Sequence, residues 1–270
     1  DKLDTTIYIT GSTFISCITS EEIIKLIRTR CLTMTHVCAF ESGVTQNYAD
    51  GIMLSYDIVD DDFSLCLYNT FANTFCDKSG HASILSIANG NQYYRCNNFT
   101  NTTLRGIHIN SPVCFSFALS TIMKCDNTCL MMSGYNNDQC GVVKDKLIEM
   151  SNFFNDAYYL IQVHGKCQYK LTLNKCVLLN NYVDPNFANV EYQVTSVEAI
   201  NCIILDKHQE TNGIKFIDCT RVSYDKSYAK LYPHYTNGVE CVGPENAVEN
   251  VEGCEKGDCL DESCNKPIEF

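Results

Sequence analysis

Runs in which apolar and polar residues alternate recur along almost the whole chain. In "QYKLTL" (168–173) and "CFSFAL" (114–119) apolar side chains return at every second position, the period of a half-buried strand. Similar runs of five to eight residues, rich in β-branched and aromatic side chains, lie at 52–58, 63–68, 82–88, 104–109, 157–163, 176–183, 190–194, 201–206, 213–218 and 221–225. Gly, Asn, Asp or Ser bounds each one. Strands spaced by ~8–12 residues point to a sandwich or barrel. The expected fold class is therefore mainly β: antiparallel sandwich- or barrel-like domains with a minor α contribution.

Two segments depart from the two-residue period. Thr19-Ser20-Glu21-Glu22 before "IIKLIRTR" reads as a capped helix, with Thr19 capping, Glu22 three residues on, and Arg28 and Arg30 in the last turn. In "VVKDKLIEMSNFF" (142–154), Val143, Leu147, Met150 and Phe154 fall on one helical face. A β-rich domain over 1–140, a second over 141–235 and an acidic tail over 236–270 are expected. No internal repeat is evident.

Cysteine changes this picture most. The chain has 18, with no Cys-x-x-Cys pair to suggest zinc. An even number spread along the whole chain predicts up to nine disulfides in an oxidising compartment, with the connectivity left open. The expected half-cystines are Cys17, Cys31, Cys38, Cys66, Cys76, Cys96, Cys114, Cys125, Cys129, Cys140, Cys167, Cys176, Cys202, Cys219, Cys241, Cys254, Cys259 and Cys264. The last four lie in a tail with nine acidic residues and two lysines, a disulfide-stapled appendix with little apolar content. "CNNFTNTT" offers two acceptors for N-linked sugar, Asn98 and Asn101, which agree with an extracellular location.

A net charge of −12 and a pI near 4.9 argue against nucleic acid and against an anionic membrane surface. No apolar run is long enough for a transmembrane helix, so membrane attachment is expected only through an anchor or a partner outside these residues.

Catalytic signatures are weak. Cys76 and His81 form the one suggestive local pair for a nucleophile and base, with no surrounding motif. The serine-hydrolase elbow, the phosphate loop, the dinucleotide fingerprint and His-Glu-x-x-His are missing. His36, His81, His108, His164, His208 and His234 show no ligand spacing, and Asp57, Asp60, Asp61 and Asp62 lack that of a calcium loop. No cofactor and no enzymatic activity are expected. Leu130, Met131 and Met132, between Cys125 and Cys140, are a candidate apolar contact loop or else a buried strand.

The dense cysteines, "CNNFTNTT", the short strands and "CEKGDCLDESC" together resemble the ectodomain of an enveloped-virus surface glycoprotein of the bunyavirus type. The resemblance implies host attachment or control of a companion glycoprotein within an oligomer on the virion. The expected function is thus a non-enzymatic extracellular binding or assembly module with a protein partner. A parasite surface adhesin or decoy and a secreted hydrolase are the alternatives.

Overall fold

The computed structural model describes residues 6–45, 51–58, 62–76, 82–112, 114–125, 128–134, 146–149, 151–154, 160–165, 170–179, 188–190, 196–205 and 214–223. All paired strands run parallel and stack into three long sheets, so the described residues wind as a β-solenoid of nine coils. Face A holds strands Thr6–Thr10, Cys31–Thr35, Phe63–Leu67, Asn91–Arg95, Cys114–Ala118, Lys146–Glu149, Lys170–Asn174, Ser196–Ile200 and Ile214–Ile217. Face B holds Thr13–Ile15, Cys38–Phe40, Thr70–Ala72, Asn98–Thr102, Thr121–Cys125, Asn152–Phe154, Val177–Leu179, Ile203–Leu205 and Thr220–Val222. Face C holds Lys25–Thr29, Gly51–Ile58, Ser83–Ala88, Arg105–Asn110, Leu130–Gly134, Ile161–Gly165 and Ala188–Val190. A three-stranded strip (Ile18–Thr19, Gly43–Val44, Phe75–Cys76) follows face B in the first three coils.

The β reading holds; the antiparallel one is corrected. Alternation points to antiparallel pairing because ordinary parallel sheets are covered on both sides. In a solenoid each sheet turns one side to a central core and the other outward, so its parallel strands alternate as well. The inner side of face B carries Ala39, Phe71, Phe99, Ile122, Phe153, Leu178 and Ile204, all fully buried, with Phe71 stacked on Phe99 at 5.1 Å.

Neither expected helix is present among the described residues. Ile18–Thr19 and Lys25–Thr29 are strands, and the Thr19 hydroxyl closes a turn on the Glu21 carbonyl instead of capping. In the second segment Lys146–Glu149 lies on face A and Asn152–Phe154 on face B, and Ile148 and Phe153 enter the core in place of the helical stripe. The inward pair Ile148 and Phe153 lies five residues apart, off any single helical face, because each strand pairs with its neighbours in the adjacent coils.

Among the described residues, the corner between faces A and B recurs in eight coils. Its first residue has a positive φ at Gly11, His36, Tyr68, Cys96, Leu119, Lys175, Asn201 and Asp218. Most occupants are not glycine, so each adopts an unfavourable conformation. Hydrogen bonds to the next coil offset this: Gly11 N–H donates to Thr35 O, Tyr68 N–H to Arg95 O and Asn201 N–H to Ile217 O.

The second corner residue points inward and is small: Ser12, Val37, Asn69, Asn97, Ser120, Ser151, Cys176, Cys202 and Cys219. Asn69 Nδ2 donates to Asn97 Oδ1 at 2.9 Å and to Met34 O at 3.1 Å, and Asn97 Nδ2 donates to Cys66 O at 2.8 Å. These bonds satisfy carboxamides buried from water. A second such corner follows face B, with positive φ at Ser16, Glu41, Asn73, Asn101 and Lys124.

A repeat does exist, then. It reads apolar-x-apolar-x-bend-small-x-apolar, as in "IYITGSTF", "LTLNKCVL" and "VEAINCII". It escapes detection because the coil length varies: register partners lie 25 residues apart from Thr6 to Cys31 but 32 apart from Leu32 to Ser64. From Val197 to Ile214 the step is only 17. Face A pairs continuously across residue 141, through Phe115–Lys146, and the boundary expected there falls outside the described residues.

Candidate binding face

The three faces differ on their outer sides. Outward positions of face A are half-exposed from coil to coil. Those of face B are largely buried, among them Thr70, Ala72, Asn98, Thr100, Thr121, Val177 and Leu179. Outward Arg105, Met131, Ser133 and Gln162 on face C are also buried. Among the described residues, face A is therefore the long face whose outer side is most open to solvent. Nine strands about 4.8 Å apart and five residues wide give it about 650 Å², close to the ~800 Å² that one partner contributes to a standard interface.

The strand Phe63–Leu67 is inverted. Its inward residues are Ser64 and Cys66, both fully buried, and its outward ones are Phe63, Leu65 and Leu67. The Ser64 hydroxyl finds no hydrogen-bond partner inside. A strand that buries Ser and Cys while leaving Phe and two Leu half-buried on its outer side sacrifices stability, and such departures from patterning mark sites of interaction. Next to it Tyr93 pairs in register with Leu65, and Arg95 with Leu67. Tyr8 stands 64 % exposed on the first coil. Arg95 Nε is buried and without a hydrogen-bond partner, a cationic donor set within an apolar surface. Below, Tyr94 is inward, bonded through its hydroxyl to Gln92 Oε1 at 3.2 Å, and burial pushes its phenol up.

Sequence reasoning missed this patch. Its signal is a five-residue strand, "FSLCL", whose polar residues fall on the core side once the repeat is aligned.

The cysteines divide by position. Cys38 is disulfide-bonded and its partner lies outside the described residues. Cys17, Cys31, Cys66, Cys176, Cys202 and Cys219 are free thiols, so the expected set of nine bridges is corrected for these six. The reason is packing: Cys176, Cys202 and Cys219 occupy the inward corner position on three consecutive coils, where a small apolar residue fits. Cys176 N–H donates to Cys202 Sγ at 3.4 Å. Hydrogen bonding with Cys176 pushes the Cys202 thiol up to about 12, and hydrogen bonding with Cys202 pushes Cys219 up as well. Burial pushes Cys66 up to about 12. None of these three is an activated nucleophile. Cys125 is buried, its thiol donating to Leu104 O at 2.9 Å; Cys96 and Cys129 are buried too, Cys76 and Cys114 half-buried. Cys140, Cys167, Cys241, Cys254, Cys259 and Cys264 lie outside the described residues.

The two sequon asparagines are not equivalent. Asn98 is outward on covered face B and 3 % exposed. Asn101 is exposed at the bend, its Nδ2 donating to Asn73 Oδ1. Leu130, Met131 and Met132 form a buried face C strand, so the contact-loop expectation is corrected; the Arg105 guanidinium donates to Met131 Sδ at 2.8 Å.

Asp62 pairs with Arg30 at 3.0 Å and Asp57 accepts from Asn89 Nδ2 at 2.7 Å, both structural uses; Asp60, Asp61 and His81 are outside the described residues. No group of three or more metal-ligating side chains converges among the described residues. One polar cluster does: His108 on face C has Nε2 2.8 Å from Ser133 Oγ and Nδ1 3.4 Å from Ser86 Oγ.

Compared with known proteins, the chain matches no family model, no curated protein and no solved structure.

Proposed function

We propose that this chain is an extracellular, non-enzymatic surface module that binds a protein partner through the outer side of face A, in attachment or assembly at a virion or cell surface. The inverted strand Phe63–Leu67 carries this reading, since it turns to the outer side, half-buried, the apolar residues that its own core would have used. Tyr8, Tyr93 and Arg95 add the residue types enriched at binding hot spots. The Cys38 bridge and the exposed Asn101 sequon support the extracellular location. The attached partner is a host receptor or companion glycoprotein, and an adhesin fits the same surface.

The test is a double substitution, Leu65→Glu with Leu67→Glu, in the secreted chain. Completing the burial of two half-buried leucines in a complex is worth about 1.5–3 kcal/mol, so binding to receptor-bearing cells should weaken at least ~10-fold. Unchanged binding by a folded variant refutes the assignment of face A.

A secreted hydrolase is the second reading, favoured by the Ser133–His108 contact. Two features weigh against it: Ser133 is 2 % exposed, and the group on His108 Nδ1 is a hydroxyl, which stabilises an imidazolium less than a carboxylate does. Covalent labelling of Ser133 by a fluorophosphonate, lost in His108→Ala, would establish this reading over the first.

A further inference from the structure

The two ends of the solenoid are finished differently. Among the described residues, the exposed large apolar side chains are Tyr8 (64 %), Ile15 (59 %) and Ile18 (58 %) on the first coil and Ile217 (37 %) on the last. Beneath the first three the core itself is open. Ile7, Ile9 and Phe14 pack on the core cluster but stay half-buried, as do Ile23, Ile24 and Leu26. Their register partners one coil on, Leu32, Met34 and Ala39, are at most 1 % exposed. At the last coil Ile214 is buried, and the Arg221 guanidinium lies over the Phe216 ring at 5.9 Å. A terminal coil ordinarily carries a polar cap, because an open end leaves apolar core and unpaired backbone in water. The described residues place no such cap on the first coil, whose strand Thr6–Thr10 is paired on one edge alone.

We propose that the first coil is a dimerisation surface whose occupant is the first coil of a second copy of this chain, joined by antiparallel pairing of Thr6–Thr10 about a two-fold axis through Tyr8. Three observations select this occupant. First, the strand is a palindrome: "TIYIT" reads the same in both directions. Setting Tyr8 against its counterpart places Ile7 opposite Ile9 and Thr6 opposite Thr10. Directly opposed residues point to the same side of a sheet, so the isoleucines close the core while Tyr8 and the threonines stay on the outer side. Second, the backbone is turned the right way. Gly11 N–H donates to Thr35 O in the second coil. Backbone groups alternate in direction along a strand, so Ile7 and Ile9 also face the second coil. Thr6, Tyr8 and Thr10 then aim N–H and C=O at the open edge. These are the residues that the two-fold axis opposes to one another, so each open donor meets an open acceptor. Third, the charge permits it. The whole chain carries −12, which drives copies apart, but Thr6–Thr29 sets Glu21 and Glu22 against Lys25 and Arg28. Lys25 already pairs with Glu22 at 3.3 Å. A coil from Thr6 to Thr29 matches the ~20–30 residues that each side of a standard interface supplies. The contact is isologous and closes at two copies, whereas a head-to-tail stack on the last coil needs no palindrome and does not close. The dimer lays two faces A end to end with their outer sides still open, and it does not rest on the partner assigned to that face.

The experiment measures the molar mass of the purified full chain by sedimentation equilibrium at micromolar concentration. The expected mass is twice the 30.4 kDa of one chain, plus its sugar. Tyr8→Pro should give a monomer with unchanged far-UV circular dichroism, because the N–H it removes faces the open edge, where a strand accepts proline. Tyr8→Cys provides a readout that does not depend on that variant folding. Across the two-fold axis its Cα atoms lie about 5.5 Å apart, within disulfide reach. Mild oxidation should link Tyr8→Cys into a dimer in which peptide mapping finds the substituted position joined to itself. Thr6→Cys, about 14 Å from its counterpart, should stay unlinked. A monomeric parent, a dimer that survives Tyr8→Pro, equal linking at both positions, or assemblies that keep growing with concentration each overturn the inference. Mass and linkage are read without the face A partner, so the two assignments fail separately.

Discussion

Replacing Asn97 by alanine tests whether the corner ladder holds the solenoid together. Asn97 is 1 % exposed. Its Oδ1 accepts from Asn69 N at 3.1 Å and Asn69 Nδ2 at 2.9 Å, and its Nδ2 donates to Cys66 O at 2.8 Å. Asn97→Ala leaves the Asn69 amide and the Cys66 carbonyl buried without these partners, whereas Asn69 Nδ2 keeps Met34 O. Each orphaned group costs about 1–2 kcal/mol, and the vacated volume adds to this, so the loss should reach about 3–4 kcal/mol. With a urea slope of about 3 kcal/mol/M, the midpoint falls by about 1 M. Coils of a solenoid can unfold separately, so exchange of the Asn69 amide should be followed alongside. Asn101→Gly, in unglycosylated protein, is the control: glycine accepts the positive φ of that position, so the change removes one exposed contact and should cost less than ~0.5 kcal/mol. If Asn97→Ala stays within ~0.5 kcal/mol of the parent and the Asn69 amide keeps its protection, the ladder is not the determinant argued here.

Two further outcomes follow from the same geometry. Glycopeptide analysis of secreted protein should find sugar on Asn101 and none on Asn98, because a transferase reaches only the exposed bend; occupancy of Asn98 would mean that face B is uncovered during maturation. Burial holds the His36 imidazole, stacked on Tyr68 at 5.1 Å, below its usual pKa. The unfolded chain then binds the extra proton first, so stability should fall as pH drops through about 6.5, and His36→Asn should flatten that slope; an unchanged slope rules His36 out as its source.

Local alternation determined that the protein is β-rich, because a strand with one wet and one dry side must alternate whatever its neighbours do. It left the direction of pairing open. "QYKLTL" reads the same in an antiparallel sandwich and on face A, and only the corner bends, with the inter-coil hydrogen bonds of residues such as Tyr68 and Asn201, make the stacking parallel. The helix expected at 142–154 gives way to strands because Lys146–Glu149 and Asn152–Phe154 pair with the adjacent coils and bury Ile148 and Phe153, a tertiary demand that local spacing does not carry. Cysteine count alone could not separate bridges from packing: Cys176, Cys202 and Cys219 are small residues lining a bend, whereas Cys38 is bridged on an outer face. "CNNFTNTT" was legible as a double acceptor, but which asparagine meets solvent depends on where the strand ends and the bend begins. "FSLCL" is equally ambiguous alone. Only the winding, by turning Ser64 and Cys66 inward, made Phe63, Leu65 and Leu67 a surface, since a side chain's inside and outside exist only relative to the core that the other coils build.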